Sequence, residues 1–361
     1  MRIGFDAKRA FHNNTGLGNY SRFIIEALLK YAPQNEYFAY TPKLSKRDLD
    51  LKSIIPKNKF LWRSWLINKD LNRDSIQIYH GLSNELPFGL KKTGIKTVVT
   101  IHDLIFERYP RLYPFFDTLI YKFKFRNACK NADVIVAVSE QTKRDIVEFY
   151  GTNPDKIKVV YQDCDEVFQV KLSEETIKDV VAKYKIKKKY ILSVGTIIER
   201  KNQASLVAAF HKINLSNYQL ILVGGHSKYQ NQIEKYIQEN NVQNVKILNK
   251  VPFQDLPALY QGASLFVYPS FFEGFGIPIV EALHSSVPVV AATGSCLEEA
   301  GGDGALYADP ANINDLADKM MTVLANKDLQ KTLVEAGQKY VQKFAAERIA
   351  GELNEIYKGL I

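Results

Sequence analysis

The stretch from Leu265 to Leu283 constrains the fold more than any other. Leu265-Phe266-Val267-Tyr268-Pro269 is a short apolar run of the buried-strand type. The glycine-bearing loop Ser270-Phe271-Phe272-Glu273-Gly274-Phe275-Gly276 follows, and Pro278 then falls in the first turn of a helix, where its missing N–H is harmless. Backbone N–H groups and the helix dipole at such a turn favour an anion. Two glutamates bracket it: Glu273 in the loop and Glu281 about one turn inside the helix. Carboxylates beside an anion site accept hydrogen bonds from hydroxyls. A ligand carrying both phosphate and hydroxyl groups, such as a sugar nucleotide, meets both demands.

The same succession of strand, turn and helix recurs along the 361 residues. Apolar, β-branched runs predict strands at 2–7, 37–41, 76–79, 96–101, 133–138 and 157–161 in the first half. In the second half they fall at 190–195, 218–223, 245–248 and 287–291, besides the run at Leu265. Alternation of this kind implies parallel sheets with right-handed crossovers. A chain of this length is expected to form two domains. The pattern breaks at 162–168, which places the boundary there. The expected fold class is α/β: two Rossmann-like parallel-sheet domains, 1–165 and 166–344, with a last helix at 345–361 packing back on the first. The stretch 42–73 is basic and irregular and gives no assignment.

Hydrophobic residues make up 46% of the chain and charged residues 24%, the balance of a soluble globular protein. No run approaches the length of a spanning helix, and the N-terminus enters a strand pattern without a signal-type apolar region. A cytoplasmic location is the expectation. Cys129, Cys164 and Cys296 lack pairing or metal-ligand spacing, which suits a reducing compartment. A net charge of +9 permits phosphate-rich ligands or an anionic membrane as partners. The charge is spread and no nucleic-acid module is present, so nucleic-acid binding is not expected.

Ligands of open α/β sheets sit at the carboxyl ends of strands. Three turns hold candidate groups at such positions. Gly16 and Gly18 lie in the turn after the first strand, where they serve either a ligand or simply a tight turn. His102 and Asp103 follow the strand at 96–101. Gly195 ends the strand at 190–195, and Arg200-Lys201 open the next turn. Arginine supplies a bidentate fork and lysine a point charge, a pair suited to a diphosphate. Finally, the helix at 113–130 sets Phe115, Leu119 and Phe123 beside Phe116 and Ile120, with Lys122, Arg126 and Lys130 as a basic stripe. Such a face suits an anionic membrane surface. Apolar helical stripes are more often core, and a core-facing helix is the expectation.

Taken in order, five stretches resemble the retaining GT-B glycosyltransferases of family 4, with mannosyltransferase-like members nearest in character. They are Gly16-Leu17-Gly18-Asn19-Tyr20, Thr100-Ile101-His102-Asp103, Val136-Ala137-Val138-Ser139, Ser193-Val194-Gly195 with Arg200-Lys201-Asn202, and Glu273-Gly274-Phe275-Gly276 through Glu281. The last is similar to the family's Glu-x7-Glu motif. The resemblance implies two domains facing each other across a cleft, with the acceptor held by the N-terminal domain and the donor by the C-terminal one. Arg200 and Lys201 then neutralise the donor diphosphate. Glu281 binds the ribose hydroxyls and Glu273 those of the transferred sugar. The backbone around Gly274, Phe275 and Gly276 holds sugar and phosphates, with Gly195 at the donor as well. Gly16 and Gly18 close over the donor, and His102 lies near the sugar. The segment 293–299 departs from the pattern, since it lacks a proline before its glutamate.

The resemblance implies hexosyl transfer with retention of configuration, without cofactor or metal. The donor expected is a GDP-hexose, with a UDP-hexose as the alternative. No Asp-x-Asp pair stands at a strand end near the motif. The expected acceptor is a glycan or lipid-linked glycan of polysaccharide or lipopolysaccharide type, handled in the cytoplasm or at the inner face of the cell membrane. Another GT-B enzyme, such as a sugar-nucleotide epimerase, and a non-catalytic nucleotide-sugar binder remain alternatives.

Overall fold

The computed structural model describes residues 1–13, 15–43, 49–56 and 61–361. The chain divides into two compact units, Met1–Asp163 with Phe344–Ile361, and Cys164–Lys343. Each is built on a parallel sheet.

Among the described residues the first unit has seven strands: β1 (Arg2–Asp6), β2 (Glu36–Tyr40), β3 (Lys52–Ile54), β4 (Ile78–Gly81), β5 (Lys96–Ile101), β6 (Val134–Ala137) and β7 (Ile157–Val159). Their order is β3-β2-β1-β4-β5-β6-β7. The chain therefore winds one way from β1 and returns to start the other way at β4. The inner strands are buried on both faces, as the near-continuous apolar sequence of Val98 to Ile101 demands. The helix Ala346–Lys358 belongs to this unit; it buries Ile349, Ala350, Leu353 and Tyr357. Asn35 donates from Nδ2 to Asn354 Oδ1 at 2.9 Å, and Tyr357 OH lies 2.7 Å from His80 Nδ1.

The second unit repeats the plan with β8 (Lys189–Val194), β9 (Tyr218–Val223), β10 (Val245–Leu248), β11 (Leu265–Tyr268), β12 (Val289–Ala292) and β13 (Ala305–Ala308). The order is β10-β9-β8-β11-β12-β13, with the reversal between β8 and β11. In register, Leu265 faces Ile191 and Phe266 faces Leu192. Loops leaving the carboxyl ends of these two strands diverge to opposite faces and open a crevice between them.

Three sequence expectations are corrected. Strands β3 and β13 fall where none was foreseen; β13 is an alanine-bearing run that follows Gly301-Gly302-Asp303-Gly304 and takes its strand state from pairing with β12. Part of the unassigned stretch, 44–48 and 57–60, lies outside the described residues, as does Asn14 in the first glycine turn. The helix at the second correction, Gly16–Tyr31, starts four residues before the expected Tyr20, so both glycines lie in its first turn rather than in the loop before it.

The third concerns the helix Phe115–Asn131. Its contact with the core runs through Thr118, Phe125, Ala128 and Cys129. The apolar stripe expected to be core is exposed: Phe115 77%, Phe116 76%, Leu119 58%, Ile120 50% and Phe123 64%. The helix is apolar on two sides, and a period of four cannot tell which side meets the sheet.

Candidate active site

The crevice between β8 and β11 gathers the strongest constellation in the chain. Gly195 follows β8 with its N–H donating to Val223 O at 2.8 Å. A Cβ on Gly224 would lie 1.9 Å from Gly195 O, so only glycine lets the turns after β8 and β9 pack together. The chain then makes a short turn, Glu199–Lys201, ended by Asn202 in the left-handed region. Asn202 Nδ2 donates to Pro269 O (3.1 Å) and Pro310 O (2.8 Å), tying this turn to the loop after β11. Phe271 N donates to Arg200 O at 2.9 Å, and Ser270 Oγ lies 3.1 Å from the same oxygen. The two loops are thus stitched along their backbones, and their side chains have fixed positions.

Arg200 and Lys201 point inward, with side chains only 15% and 14% exposed. Glu273 meets both: Oε1 lies 2.8 Å from Arg200 Nη1 and 2.6 Å from Lys201 Nζ. Ser270 Oγ donates to the same oxygen at 2.5 Å and Tyr268 OH at 3.3 Å. Arg200 also donates to Phe272 O, and Lys201 to Tyr268 OH. Burial alone would raise the Glu273 carboxyl; the charges of Lys201 and Arg200 overcome it and hold the carboxyl at about 2. Burial lowers the Lys201 ammonium against the pull of Glu273.

Glu281 sits in the helix Ile277–His284 and is also buried. Burial pushes its carboxyl up to about 7, against a hydrogen bond donated by Tyr260 OH at 2.7 Å. The two glutamates therefore differ in kind: one is locked as an anion, the other is poised near neutrality. Between them Gly276 takes φ +128°, and a Cβ there would lie 2.9 Å from Leu297 Cδ2. Cys296 Sγ lies 3.0 Å from the carbonyls of both Glu273 and Phe275, so the loop rests on the turn before the helix Leu297–Gly301. In that loop Phe275 is buried and Gly274 half-buried.

A family model described as "Glycosyl transferases group 1" matches residues 173–340, and one described as "Glycosyltransferase Family 4" matches 41–163. The chain belongs to the family 4 glycosyltransferases. Among similar proteins, the O-antigen chain mannosyltransferase B of Escherichia coli is 28% identical over 78% of this chain and 74% of its own length. The O-antigen chain mannosyltransferase RfbU of Salmonella typhimurium is 30% identical over 59% of this chain and 56% of its own. An N-acetylgalactosamine-N,N'-diacetylbacillosaminyl-diphospho-undecaprenol 4-alpha-N-acetylgalactosaminyltransferase of Campylobacter jejuni is 24% identical over 78% and 75%. Two solved structures share the fold. One is a glycosyltransferase of Rickettsia africae (TM-score 0.79, 20% identity, 99% and 98% covered). The other is HepE of Anabaena in complex with UDP-glucose (TM-score 0.76, 18% identity, 99% and 100% covered). With these neighbours, the two parallel-sheet domains are those of the GT-B fold.

The remaining residues singled out in this glycosyltransferase lie in the first unit. Gly18 is enforced by packing, since a Cβ would stand 2.0 Å from Asn13 O. At Gly16 a Cβ would meet nothing within 4 Å, so there the missing side chain leaves space. His102 is buried directly after β5. Its N–H donates to Asn84 Oδ1 at 2.8 Å, and Nε2 lies 2.9 Å from Leu82 O. A carbonyl only accepts, so Nε2 carries the proton. Burial lowers the imidazole to about 4, helped by the nearby charge of Arg9. His102 is therefore neutral at pH 7 with its lone pair on Nδ1. The Tyr20 ring meets it edge-on at 4.6 Å. Asp103 Oδ1 accepts from Ile105 N at 3.1 Å, which fixes the loop.

Sequence reasoning missed Tyr268, Ser270 and Tyr260, all of which hydrogen-bond a motif glutamate. Tyr268 and Ser270 had a signal, being polar groups at the end of an apolar strand beside Glu273. Tyr260 had none, because its contact with Glu281 arises only when its helix packs on the next one.

Proposed function

We propose that this protein transfers a hexosyl group, mannose-like in preference, from a nucleoside-diphosphate sugar to a glycan or lipid-linked glycan. Configuration is retained, and no separate metal or cofactor takes part. The observation that carries this reading is the buried Arg200–Lys201 pair at the reversal of the second sheet, with Glu273 as its counter-ion. Two inward-facing cations in a crevice are a costly arrangement unless an anion is to be held there. In the free protein that anion is Glu273. In the donor complex it is the diphosphate, and the carboxylate turns to the hydroxyls of the transferred sugar.

A carboxyl held at about 2 is a poor proton acceptor, which argues against Glu273 as a general base. It suits a group that stays ionised and receives hydroxyl hydrogen bonds. Glu281, one turn inside its helix, receives those of the ribose. Gly195, Gly274, Phe275 and Gly276 bring backbone close to the donor, and Gly16 and Gly18 contribute from the N-terminal unit, which holds the acceptor. His102, neutral and with Nδ1 as acceptor, orients a sugar hydroxyl.

The reaction follows from these charges. The anomeric C–O bond to phosphate breaks, and the departing diphosphate is stabilised by Arg200 and Lys201. The acceptor oxygen bonds to the anomeric carbon on the same face, and its proton passes to the leaving phosphate oxygen. This route needs neither a second carboxylate nor a covalent intermediate. A GDP-hexose is favoured by the likeness to mannosyltransferases. A UDP-hexose is the alternative supported by the fold neighbour bound to UDP-glucose. A lipid-linked acceptor is supported by the diphospho-undecaprenol named for one relative. Work at the inner face of a cell membrane then follows, with peripheral contact to anionic lipid. NMR of the product from the preferred donor tests the stereochemistry: the anomeric signal keeps the donor's configuration, whereas an inverted product overturns the same-face route.

A further inference from the structure

The helix Phe115–Asn131 presents an apolar face that the core does not use. At about 100° per residue, Phe115, Phe116, Leu119, Ile120 and Phe123 span an arc of about 140°. All five are at least half exposed. The residues facing the sheet, Thr118, Phe125, Ala128 and Cys129, occupy the opposite arc. Scattered surface hydrophobics are ordinary, but five together on one helical face are not. The patch extends onto neighbouring elements of the same unit. The Phe123 ring lies 5.7 Å from Phe88, and Phe88 lies 4.9 Å from Trp65, itself 54% exposed.

Cations border this surface. Arg126 and Lys130 continue the exposed face along the helix, and Arg111 precedes it, against a single exposed acid of the helix's outer side, Asp117. Lys122 and Lys124 flank the apolar arc on either side, each paired, with Glu107 at 2.7 Å and Glu85 at 3.3 Å. We propose that this face is a docking surface for an anionic lipid bilayer, lying in the headgroup region with the phenylalanines directed to the acyl chains. Aromatic and aliphatic side chains ringed by arginine and lysine match that interface in both polarity and charge. A second copy of the chain fits less well, because a two-fold contact would bring the exposed cations of both copies into one interface with only Asp117 of each helix to offset them.

The position of the patch gives it a use. Next to the Trp65–Phe88–Phe123 row lies a polar chain at the carboxyl end of the first sheet. Lys124 meets Glu85, Glu85 meets Arg63 at 3.2 Å, and Arg63 Nε donates to Asp6 Oδ2 at 2.8 Å, Asp6 being the last residue of β1. Docking by this face therefore sets the carboxyl end of the acceptor-holding unit beside the lipid headgroups. This part rests on the reading of the acceptor as lipid-linked; the docking itself does not.

The test is flotation of the full chain with phosphatidylcholine vesicles, with and without phosphatidylglycerol. The variants are Phe115→Ser/Phe116→Ser/Leu119→Ser and Arg126→Glu/Lys130→Glu, all at exposed positions, with thermal melts to establish their fold. The protein is expected to float with phosphatidylglycerol vesicles, less so at high salt, and each variant to lose binding by about tenfold or more. Failure of the unaltered protein to float, undiminished flotation of the serine variant, or a stable dimer that this variant dissociates overturns the inference. Nucleotide-sugar binding is measured on the same preparations. Failure of the unaltered protein to float while it still binds nucleotide sugar refutes only the docking surface, while flotation without donor binding refutes the proposed function and leaves the surface standing.

Discussion

Glu273 is asked to serve two states. Its carboxylate neutralises Arg200 and Lys201 in the free protein; in the proposed exchange it competes with the donor diphosphate. Glu273→Gln is therefore expected to bind free GDP or UDP about tenfold more tightly while losing sugar transfer. Calorimetry checks the first and turnover the second; weaker nucleotide binding contradicts the exchange. Replacing Arg200 and Lys201 together by alanine is expected to abolish turnover. It also strands a buried carboxylate, at a cost of about 3–5 kcal/mol. Adding Glu273→Gln to that double variant restores thermal stability but not activity, and recovery of activity would show that other cations hold the diphosphate. The two glutamates also predict opposite pH effects. Glu273, lowered to about 2, favours the folded state above the ordinary carboxyl range, and this contribution is lost as pH falls towards 2. Glu281, raised to about 7, binds its proton more tightly when folded, so stability falls as pH rises from the ordinary carboxyl range to about 7. In the proposed site the ribose hydroxyls donate to its ionised form. Nucleotide-sugar affinity should then fall as pH drops below about 7, and Glu281→Gln should bind more weakly without that dependence. An unchanged pH profile in the variant would remove Glu281 from the ribose site.

The turns between strand and helix decide how the sites are assembled. Gly18 and Gly16, two residues apart, differ in what surrounds them: the first is packed against backbone and the second faces open space. Gly18→Ala drives a Cβ into Asn13 O and should destabilise the protein by about 1–3 kcal/mol. Gly16→Ala meets no atom and should stabilise the helix by up to about 1 kcal/mol, yet raise the KM for donor if this turn closes over it. A Gly16→Ala protein with higher melting temperature and unchanged KM would assign the turn to structure alone. The turns were legible in sequence because glycine, proline and charged residues punctuate apolar runs, and Lys96–Ile101, Tyr218–Val223 and Val245–Leu248 stand where those runs predict strands. What was not legible depends on tertiary contact. Strand β13 has too short and small an apolar run to announce itself. The helix Phe115–Asn131 is apolar on two sides, and only the sheet's choice of Phe125 and Ala128 shows which side is left to solvent. Likewise the Glu-x7-Glu spacing marks two carboxylates but not their difference. That difference arises because Glu273 faces two cations and Glu281 faces a tyrosine.

At the scale of the molecule, both units reverse their winding in mid-sheet, between β1 and β4 and between β8 and β11. Each reversal opens a crevice at the carboxyl end of its sheet. In the second unit the crevice carries the cation pair and both motif glutamates; in the first it carries Asp6 and the loops that lead to His102. Fixed cations take the place of a metal in this reading, so excess chelator should leave transfer unchanged; loss restored by a divalent ion would contradict it. The most direct measurement is thermal stabilisation by a panel of GDP-, UDP- and ADP-sugars, run on the unaltered protein and on the Arg200→Ala/Lys201→Ala/Glu273→Gln variant. The native donor at 100 times its dissociation constant should add about 2.7 kcal/mol to the unaltered protein and nothing to the variant. No stabilisation by any nucleotide sugar, or equal stabilisation of both proteins, would contradict the assignment of this crevice to the donor.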